Sequence, residues 1–236
     1  MTQLPGPIAL VGSGEYLPVM RELEGSLLEG RAPRYVQIAT AAVPDGLETL
    51  HYWHELGATQ AGALGVEQVI ATCATRKEAN DPDVVALIQG AGLIYLSGGH
   101  PDFLAETLRG TAVWEAIVAE WKNGAALAGC SAGAMAMTSW IPSIRHPQRG
   151  GTEGLALLPH LRVIPHFDAF ARRVPDLVTR YLQGKDPLVT LVGIDEETAL
   201  VGGPTTWTVH GRQAVWQLGH EERVEHRAGS TLSLNH

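Results

Sequence analysis

Short, continuously apolar runs recur along the chain and alternate with segments of helical periodicity. Such runs are typical of parallel strands that are buried on both faces. They predict strands at Ile8–Val11, Tyr35–Thr40, Gln68–Thr72, Leu93–Leu96, Ala125–Ala128, Arg162–Pro165 and Val189–Ile194. The segments between them predict helices at Leu17–Leu28, Leu47–Leu56, Pro82–Ile88, Ala112–Trp121 and Val174–Leu182. We therefore expect an α/β, flavodoxin-like fold with a mostly parallel sheet and helices on both faces.

The end of the chain has a different pattern, in which short β-rich segments follow one another without helices. These segments are Ala199–Val201, Thr206–Val209 and Ala214–Leu218, with a His210-Gly211 turn between the last two. We expect them to extend the same sheet in antiparallel fashion, so that residues 1–236 form a single domain. The stretch Ile141–Gly154 has little helix or strand signal and is predicted to be a loop.

Charge and composition exclude several classes of protein. The 236 residues include 17 Lys and Arg against 25 Asp and Glu, a net charge of −8, and no basic cluster exceeds a pair. A nucleic-acid partner is therefore not expected. Two cysteines cannot form a disulfide framework. We find neither a signal peptide nor an apolar run of about 18 residues, so we expect a cytoplasmic protein with no membrane partner.

The most informative motif lies in Ala125–Met137, which reads AALAGCSAGAMAM. It places a G-x-S-x-G after an apolar strand and before a helix. A serine on such a sharp turn projects its hydroxyl from the edge of the sheet, so Ser131 is a candidate nucleophile. The amide of Ala132 would then point at a developing oxyanion. The alternative is a tight glycine turn without a nucleophile.

Histidine and cysteine side chains supply the other candidates. His166 ends the predicted strand LRVIPHF, at the edge where α/β sheets carry functional groups, and is the best-placed base. His51 and His54 share a helix face but lack a third metal ligand, so we expect no metal. Cys73 and Cys130 are expected to be buried, inert thiols.

A second glycine turn follows the predicted strand Leu93–Leu96, in the segment LIYLSGGHPDFL. Gly98 and Gly99 allow a backbone amide to approach a substrate carbonyl, and His100 could line the adjoining pocket. The alternative is a plain turn between strand and helix. No phosphate-binding loop occurs, and Gly12-Ser13-Gly14 lacks the third glycine of a dinucleotide site, so no cofactor is expected.

Four segments together resemble the dipeptidase E/cyanophycinase family of serine peptidases: YLSGGHPDFL, AGCSAGAMAM, GLALLPHLRVIPHFD and GIDEETALVGG. The resemblance implies a class I glutamine-amidotransferase-like fold in which serine replaces the nucleophilic cysteine. It also implies that Ser131 is the nucleophile and His166 the base, with the amides of Gly99 and Ala132 forming the oxyanion hole.

The triad acid does not follow directly from the resemblance. Dipeptidase E has an aspartate in the loop after the nucleophile helix, whereas the corresponding segment here, Trp140–Ile144, has no acid. Three candidates remain: Glu196, Glu153 and Asp168. Glu196 is favoured because the GIDE-type segment of the family is expected near the catalytic end. Asp168 comes second because related amidotransferases place their acid two residues after the histidine.

The sequence thus predicts a serine exopeptidase that cleaves dipeptides or short peptides through an acyl-enzyme. Arg172 and Arg173, with Arg180, could pair with a substrate carboxylate, or could form a solvated basic helix face. Two other functions stay open: a binding or regulatory protein that has lost turnover, and an esterase or amidase acting on non-peptide substrates. The expected partner is a small peptide substrate, and a homodimer also stays open.

Overall fold

A computed structural model describes residues 4–143, 150–171, 188–203, 205–219 and 223–234. Its strands are β1 (Ile8–Val11), β2 (Arg34–Ile38), β3 (Glu67–Ile70), β4 (Leu93–Leu96), β5 (Ala126–Cys130), β6 (Trp140–Pro142), β7 (Gly151–Glu153), β8 (Leu161–Ile164), β9 (Thr190–Ile194), β10 (Thr198–Gly202), β11 (Thr206–Gly211), β12 (Ala214–Leu218), β13 (Arg223–Arg227) and β14 (Thr231–Ser233). Its α-helices are α1 (Arg21–Leu28), α2 (Leu47–Leu64), α3 (Pro82–Ile88), α4 (Pro101–Leu108), α5 (Ala112–Lys122), α6 (Ala132–Ala136) and α7 (Phe167–Ala171). The predicted helix Val174–Leu182 lies outside the described residues.

The large central sheet has the strand order β14-β11-β10-β1-β5-β4-β2-β3. The five strands from β1 to β3 in this order run parallel, and β10, β11 and β14 complete one edge in antiparallel fashion. The predicted mostly parallel sheet with antiparallel strands from the end of the chain is therefore confirmed. Because the parallel strands share a direction, their carboxyl ends lie at one edge.

Both faces of this sheet are covered at its centre, which explains why β1, β4 and β5 lack polar alternation. All four residues of β1 are buried. Ile8 and Leu10 pack into a core that includes side chains of α3, α4, α5 and α6. Ala9 and Val11 face the opposite side, where α1 and α2 close the core. Full burial of one aliphatic side chain contributes about 1.5–3 kcal/mol, so both layers stabilise the same strands.

The second sheet differs from the expectation of one continuous sheet. Its order is β13-β12-β9-β8, so the predicted strands at Arg162–Pro165, Val189–Ile194 and Ala214–Leu218 all belong to it. The His210-Gly211 turn does not join a hairpin within the main sheet. Gly211 ends β11 with φ +104°, and a side chain there would overlap the Glu197 carbonyl. The chain leaves the main sheet at this close approach.

A turn at residues 195–197 connects the two sheets near the same point, because it follows β9 and precedes β10. Hydrogen bonds hold this turn against the end of β1. The Glu197 amide donates to the Ser13 carbonyl at 3.1 Å, and the Gly12 amide donates to the Thr198 carbonyl at 2.9 Å. The carboxyl end of β9 therefore lies beside the carboxyl edge of the main sheet.

The prediction of a loop at Ile141–Gly154 is partly wrong. Its two ends pair as the antiparallel ribbon β6–β7, with Trp140 opposite Glu153. Gly151 permits this pairing, since a side chain there would overlap the Trp140 ring. Among the residues that the structure describes, no helix is both long enough and apolar enough to cross a membrane.

Candidate active site

The Ser131 turn joins β5 to α6 at the carboxyl edge of the main sheet. Ser131 has φ +49° and ψ −103°, a strained conformation for a residue with a side chain. Two glycines allow the strand and helix to meet this closely. A side chain at Gly129 would collide with the backbone of Gly133, and one at Gly133 would overlap the Leu96 carbonyl. The Ser131 amide donates to the Val11 carbonyl at 2.9 Å, which fixes the turn to β1.

His166 follows β8 and reaches Ser131 from the second sheet. Its Nε2 lies 3.2 Å from Ser131 Oγ, and its Nδ1 lies 2.8 Å from Glu196 Oε1. The backbone of His166 also has a positive φ, +50°. The side chains of His166 and Glu196 are 35% and 44% exposed, so solvent reaches this pair. The structure thus brings a hydroxyl, an imidazole and a carboxylate into one hydrogen-bonded chain.

Glu196 belongs to the turn at residues 195–197, between β9 and β10. Its backbone is held independently of its carboxylate. The Glu196 amide donates to Asp168 Oδ1 at 2.9 Å, and its carbonyl accepts from Thr198 Oγ1 and Gln213 Nε2, both at 3.0 Å. Asp195 turns instead towards β12, where it accepts from the Trp216 indole. Of the consecutive carboxylates Asp195, Glu196 and Glu197, it is therefore Glu196 that faces His166.

The other two candidate acids have different contacts. Asp168 supports Glu196 and also accepts a hydrogen bond from Gln213 Nε2 at 3.1 Å. Desolvation alone would raise the pKa of Asp168, but these hydrogen bonds outweigh it and lower the pKa below its ordinary value. Asp168 therefore stays ionised as an acceptor. Glu153 lies on β7, with its carboxylate 3.7 Å from Arg109.

Backbone amides next to Ser131 could stabilise an oxyanion. Ala132 is the first residue of α6, and Gly99 lies in the turn after β4 with φ +133°. In the described part of the chain, neither amide donates to a protein acceptor. The Gly98 amide, in contrast, donates to Glu15 Oε1 at 2.8 Å. The amides of Gly99 and Ala132 thus have no acceptor among the described residues and are available to a ligand.

The remaining predicted site residues lie at the margin or beyond the described structure. His100 directly follows Gly99, and its Nε2 lies 2.8 Å from Asp45 Oδ1 at a half-exposed position. Arg172 and Arg173, with Arg180, lie outside the described residues. His51 pairs with an exposed carboxylate on α2, and His54 contacts a threonine hydroxyl. Within the described residues no group of three potential metal ligands occurs.

Both cysteines are buried, as expected. Burial raises the pKa of the Cys73 thiol to about 11. Burial, reinforced by the neighbouring Glu15 carboxylate, raises the pKa of the Cys130 thiol well above its ordinary value. Since the thiolate is the reactive form, neither cysteine is suited to act as the nucleophile beside Ser131.

A serine on a strand-to-helix turn, hydrogen-bonded to a histidine–carboxylate pair, is the arrangement of a serine hydrolase on an α/β sheet. The sequence model of Peptidase family S51 matches residues 8–206. The chain therefore belongs to Peptidase family S51 and is a serine-type peptidase. The resemblance to the dipeptidase E/cyanophycinase family is confirmed by this match.

Solved structures extend the comparison. The chain is similar to a peptidase from an acI-B1 Actinobacterium, with 39% sequence identity, a TM-score of 0.89, and coverage of 99% of this chain and 98% of that one. It is also similar to a putative peptidase E protein from Listeria monocytogenes EGD-e, with 18% identity, a TM-score of 0.59, and coverage of 95% and 100%. The second likeness is one of fold alone. No curated protein matches the chain.

Sequence reasoning missed two contributors to this region. Gln213 supports the Glu196 turn and lies where the chain passes from β11 of the main sheet to β12 of the second sheet, a change that periodicity does not reveal. Glu15 is buried, although it lies in a glycine-rich segment that resembles a solvated loop. The available signal was its position in the turn that follows a predicted parallel strand, because such turns lie at the functional edge of the sheet.

Proposed function

We propose that Ser131 attacks the carbonyl carbon of a peptide bond while His166 Nε2 accepts the hydroxyl proton. Glu196 orients the imidazole and stabilises its protonated form. The same proton then passes to the leaving amine, and water hydrolyses the resulting acyl-enzyme by the reverse exchange. The observation that carries this proposal is the continuous chain of hydrogen bonds from Ser131 Oγ to Glu196 Oε1.

The tetrahedral intermediate needs donors at the developing oxyanion. We assign this role to the amides of Gly99 and Ala132, which have no protein acceptor within the described residues. Donors that are already oriented need no rearrangement when charge develops, which is the largest contribution in many acyl-transfer enzymes.

We propose that the substrates are dipeptides or short peptides, cleaved as an exopeptidase would cleave them. The printed name of the Listeria neighbour, a putative peptidase E protein, points in this direction for that protein. His100 borders the Gly99 turn and is proposed, with Arg172 and Arg173, to contact the substrate. No metal or cofactor is needed for this chemistry, since serine, imidazole and backbone amides supply every group.

The lack of an acid in the segment Trp140–Ile144 would favour a binding protein without turnover. Glu196 can take the place of that acid, since its Oε1 lies 2.8 Å from His166 Nδ1. An esterase or amidase uses the same groups, and no contact within the described residues favours it over a peptidase.

The test is a panel of free dipeptides, N-acetylated dipeptides, longer peptides and simple esters, with products identified by mass spectrometry. The wild-type protein and Ser131→Ala are compared throughout. We expect Ser131-dependent release of free amino acids from unblocked dipeptides or short peptides. Cleavage of esters alone would refute the peptide assignment, and activity that survives in Ser131→Ala would refute the nucleophile.

A further inference from the structure

Glu15 is a buried carboxylate that the proposed proton relay does not use. It follows β1, and only 9% of the residue is exposed. Its Oε1 accepts the Gly98 amide at 2.8 Å, and its Oε2 accepts the Cys130 thiol at 2.7 Å. A buried carboxylate requires such donors, because transfer of a charge from water into the interior is strongly unfavourable. Both of its donors lie directly beside the proposed catalytic groups.

The first of these contacts fixes the turn that carries Gly99. With the Gly98 amide committed to Glu15, the next amide along the chain is the one left for an oxyanion. A side chain at Gly98 would approach Glu15 Oε1 to 2.6 Å and Ser131 Cβ to 3.7 Å. Glu15 Oε1 and Ser131 Cβ thus lie on the same side of this turn.

The second contact, from the Cys130 thiol to Glu15 Oε2, holds the backbone that leads into Ser131. Cys130 is the residue before Ser131, and its thiol keeps its proton because burial and Glu15 raise its pKa. The neighbouring Tyr16 adds to the same anchoring, since its hydroxyl shares a 2.7 Å hydrogen bond with Ser97 Oγ, next to Gly98. The segment after β1 therefore contacts the chain on both sides of the proposed oxyanion hole.

We propose that Glu15 is a positioning residue, whose carboxylate ties the Gly98-Gly99 turn to Cys130 and so sets the separation between the two oxyanion-hole amides. This inference rests on the proposed function, because it assigns Glu15 a part in that same site. The two oxygens of this one side chain accept from Gly98 and from Cys130, so Glu15 links two backbone segments that are distant in the sequence. Glu15 does not touch the substrate.

The test compares Glu15→Ala and Glu15→Gln with Glu24→Gln, which alters another buried carboxylate that contacts neither the Gly98-Gly99 turn nor Cys130. Loss of a whole oxyanion-hole donor lowers kcat by roughly 10²–10³, so a loosened donor should lower it by about 10- to 100-fold in Glu15→Ala. Glutamine keeps an acceptor for the Gly98 amide, so Glu15→Gln should recover most of this loss. We expect KM to change little in either variant and Glu24→Gln to match the wild type.

Hydrogen exchange at the Gly98 amide provides a readout that does not depend on turnover. We expect exchange to become about tenfold faster or more in Glu15→Ala, because its acceptor is removed, while core amides keep their protection. Unchanged exchange would overturn the proposal whether or not the protein hydrolyses peptides. If the wild type hydrolyses no substrate, the proposed function fails, and hydrogen exchange at the Gly98 amide alone decides whether Glu15 positions this turn.

Kinetics can also overturn the proposal in a different way. An increase in KM that is confined to substrates with a free α-amine, with kcat unchanged and N-acetylated peptides unaffected, would mean that Glu15 binds the substrate ammonium group. Equal loss of kcat in Glu15→Ala and Glu15→Gln would also contradict it, because the conservative variant should recover activity. A Glu15→Ala protein that fails to fold leaves the Glu15→Gln kinetics and exchange as the deciding measurements.

Discussion

Replacement of Glu196 by glutamine separates the charge of this side chain from its position. The Glu196 turn is held by its own backbone, through Asp168 and Gln213, so the isosteric change should leave the turn in place. The amide can still accept from His166 Nδ1, but it no longer carries the charge that stabilises an imidazolium. It can also rotate and present its NH2 group, which favours the wrong tautomer.

The magnitude follows from the exposure of the pair. A buried triad carboxylate changed to its amide lowers kcat by about 10⁴. His166 and Glu196 are 35% and 44% exposed, so water screens part of their interaction. We therefore expect Glu196→Gln to lower kcat by about 10²–10³, which corresponds to a barrier increase of roughly 3–4 kcal/mol.

The assay is steady-state hydrolysis of the best dipeptide from the panel, with the melting temperature measured in parallel. Glu153→Gln is the matched control, since it makes the same chemical change at an acid that contacts Arg109 and not His166. We expect the control to stay within about twofold of the wild type and both variants to melt near the wild-type temperature. A Glu196→Gln variant with wild-type kcat, or a Glu153→Gln variant with the larger loss, would refute the assignment of the acid.

Three further predictions concern strain, burial and the oxyanion hole. In chemical denaturation the free energy of unfolding of Ser131→Gly should be about 1 kcal/mol larger than that of Ser131→Ala, because glycine adopts the positive φ of this position without strain. Burial raises the pKa of Glu24 to about 7, so between pH 5 and 8 the folded wild type retains a proton that the unfolded chain loses, and the wild type becomes less stable as pH rises. Glu24→Gln lacks this proton and should gain up to about 3 kcal/mol of stability over the wild type in the same range; a pH-independent difference in denaturation would contradict this. Gly99→Ala should lower kcat by about 100-fold or more, because a side chain at this position would overlap the Ala41 carbonyl and displace the Gly99 amide. Wild-type kinetics in this variant would exclude the Gly99 amide from the oxyanion hole.

The main sheet and the positions of Ser131 and His166 could be predicted because their signals are local. A buried parallel strand reads as an apolar run, and the small residues around Ser131 are required by the close approach of β5 to α6. His166 ends its own apolar strand. None of these features depends on knowing which strands pair.

The acid and the second sheet could not be derived in the same way. Glu196 reaches His166 because β8 and β9 pair with each other and because the turn that leads from β9 to β10 carries Glu196. Three consecutive carboxylates, from Asp195 to Glu197, give no local sign of which one turns inward. The burial of Glu15 is hidden for a related reason, since its donors come from two distant segments of the chain.

If Ser131 is an activated nucleophile, a fluorophosphonate should label it covalently. The wild-type protein is treated with the probe, the adduct is measured by intact mass, and its position is mapped by peptide sequencing. We expect one adduct per chain on Ser131, much slower labelling in His166→Ala, and none at this position in Ser131→Ala. A wild-type protein that stays unlabelled, or that is labelled on a different residue at the same rate with or without His166, would show that Ser131 is not the activated nucleophile.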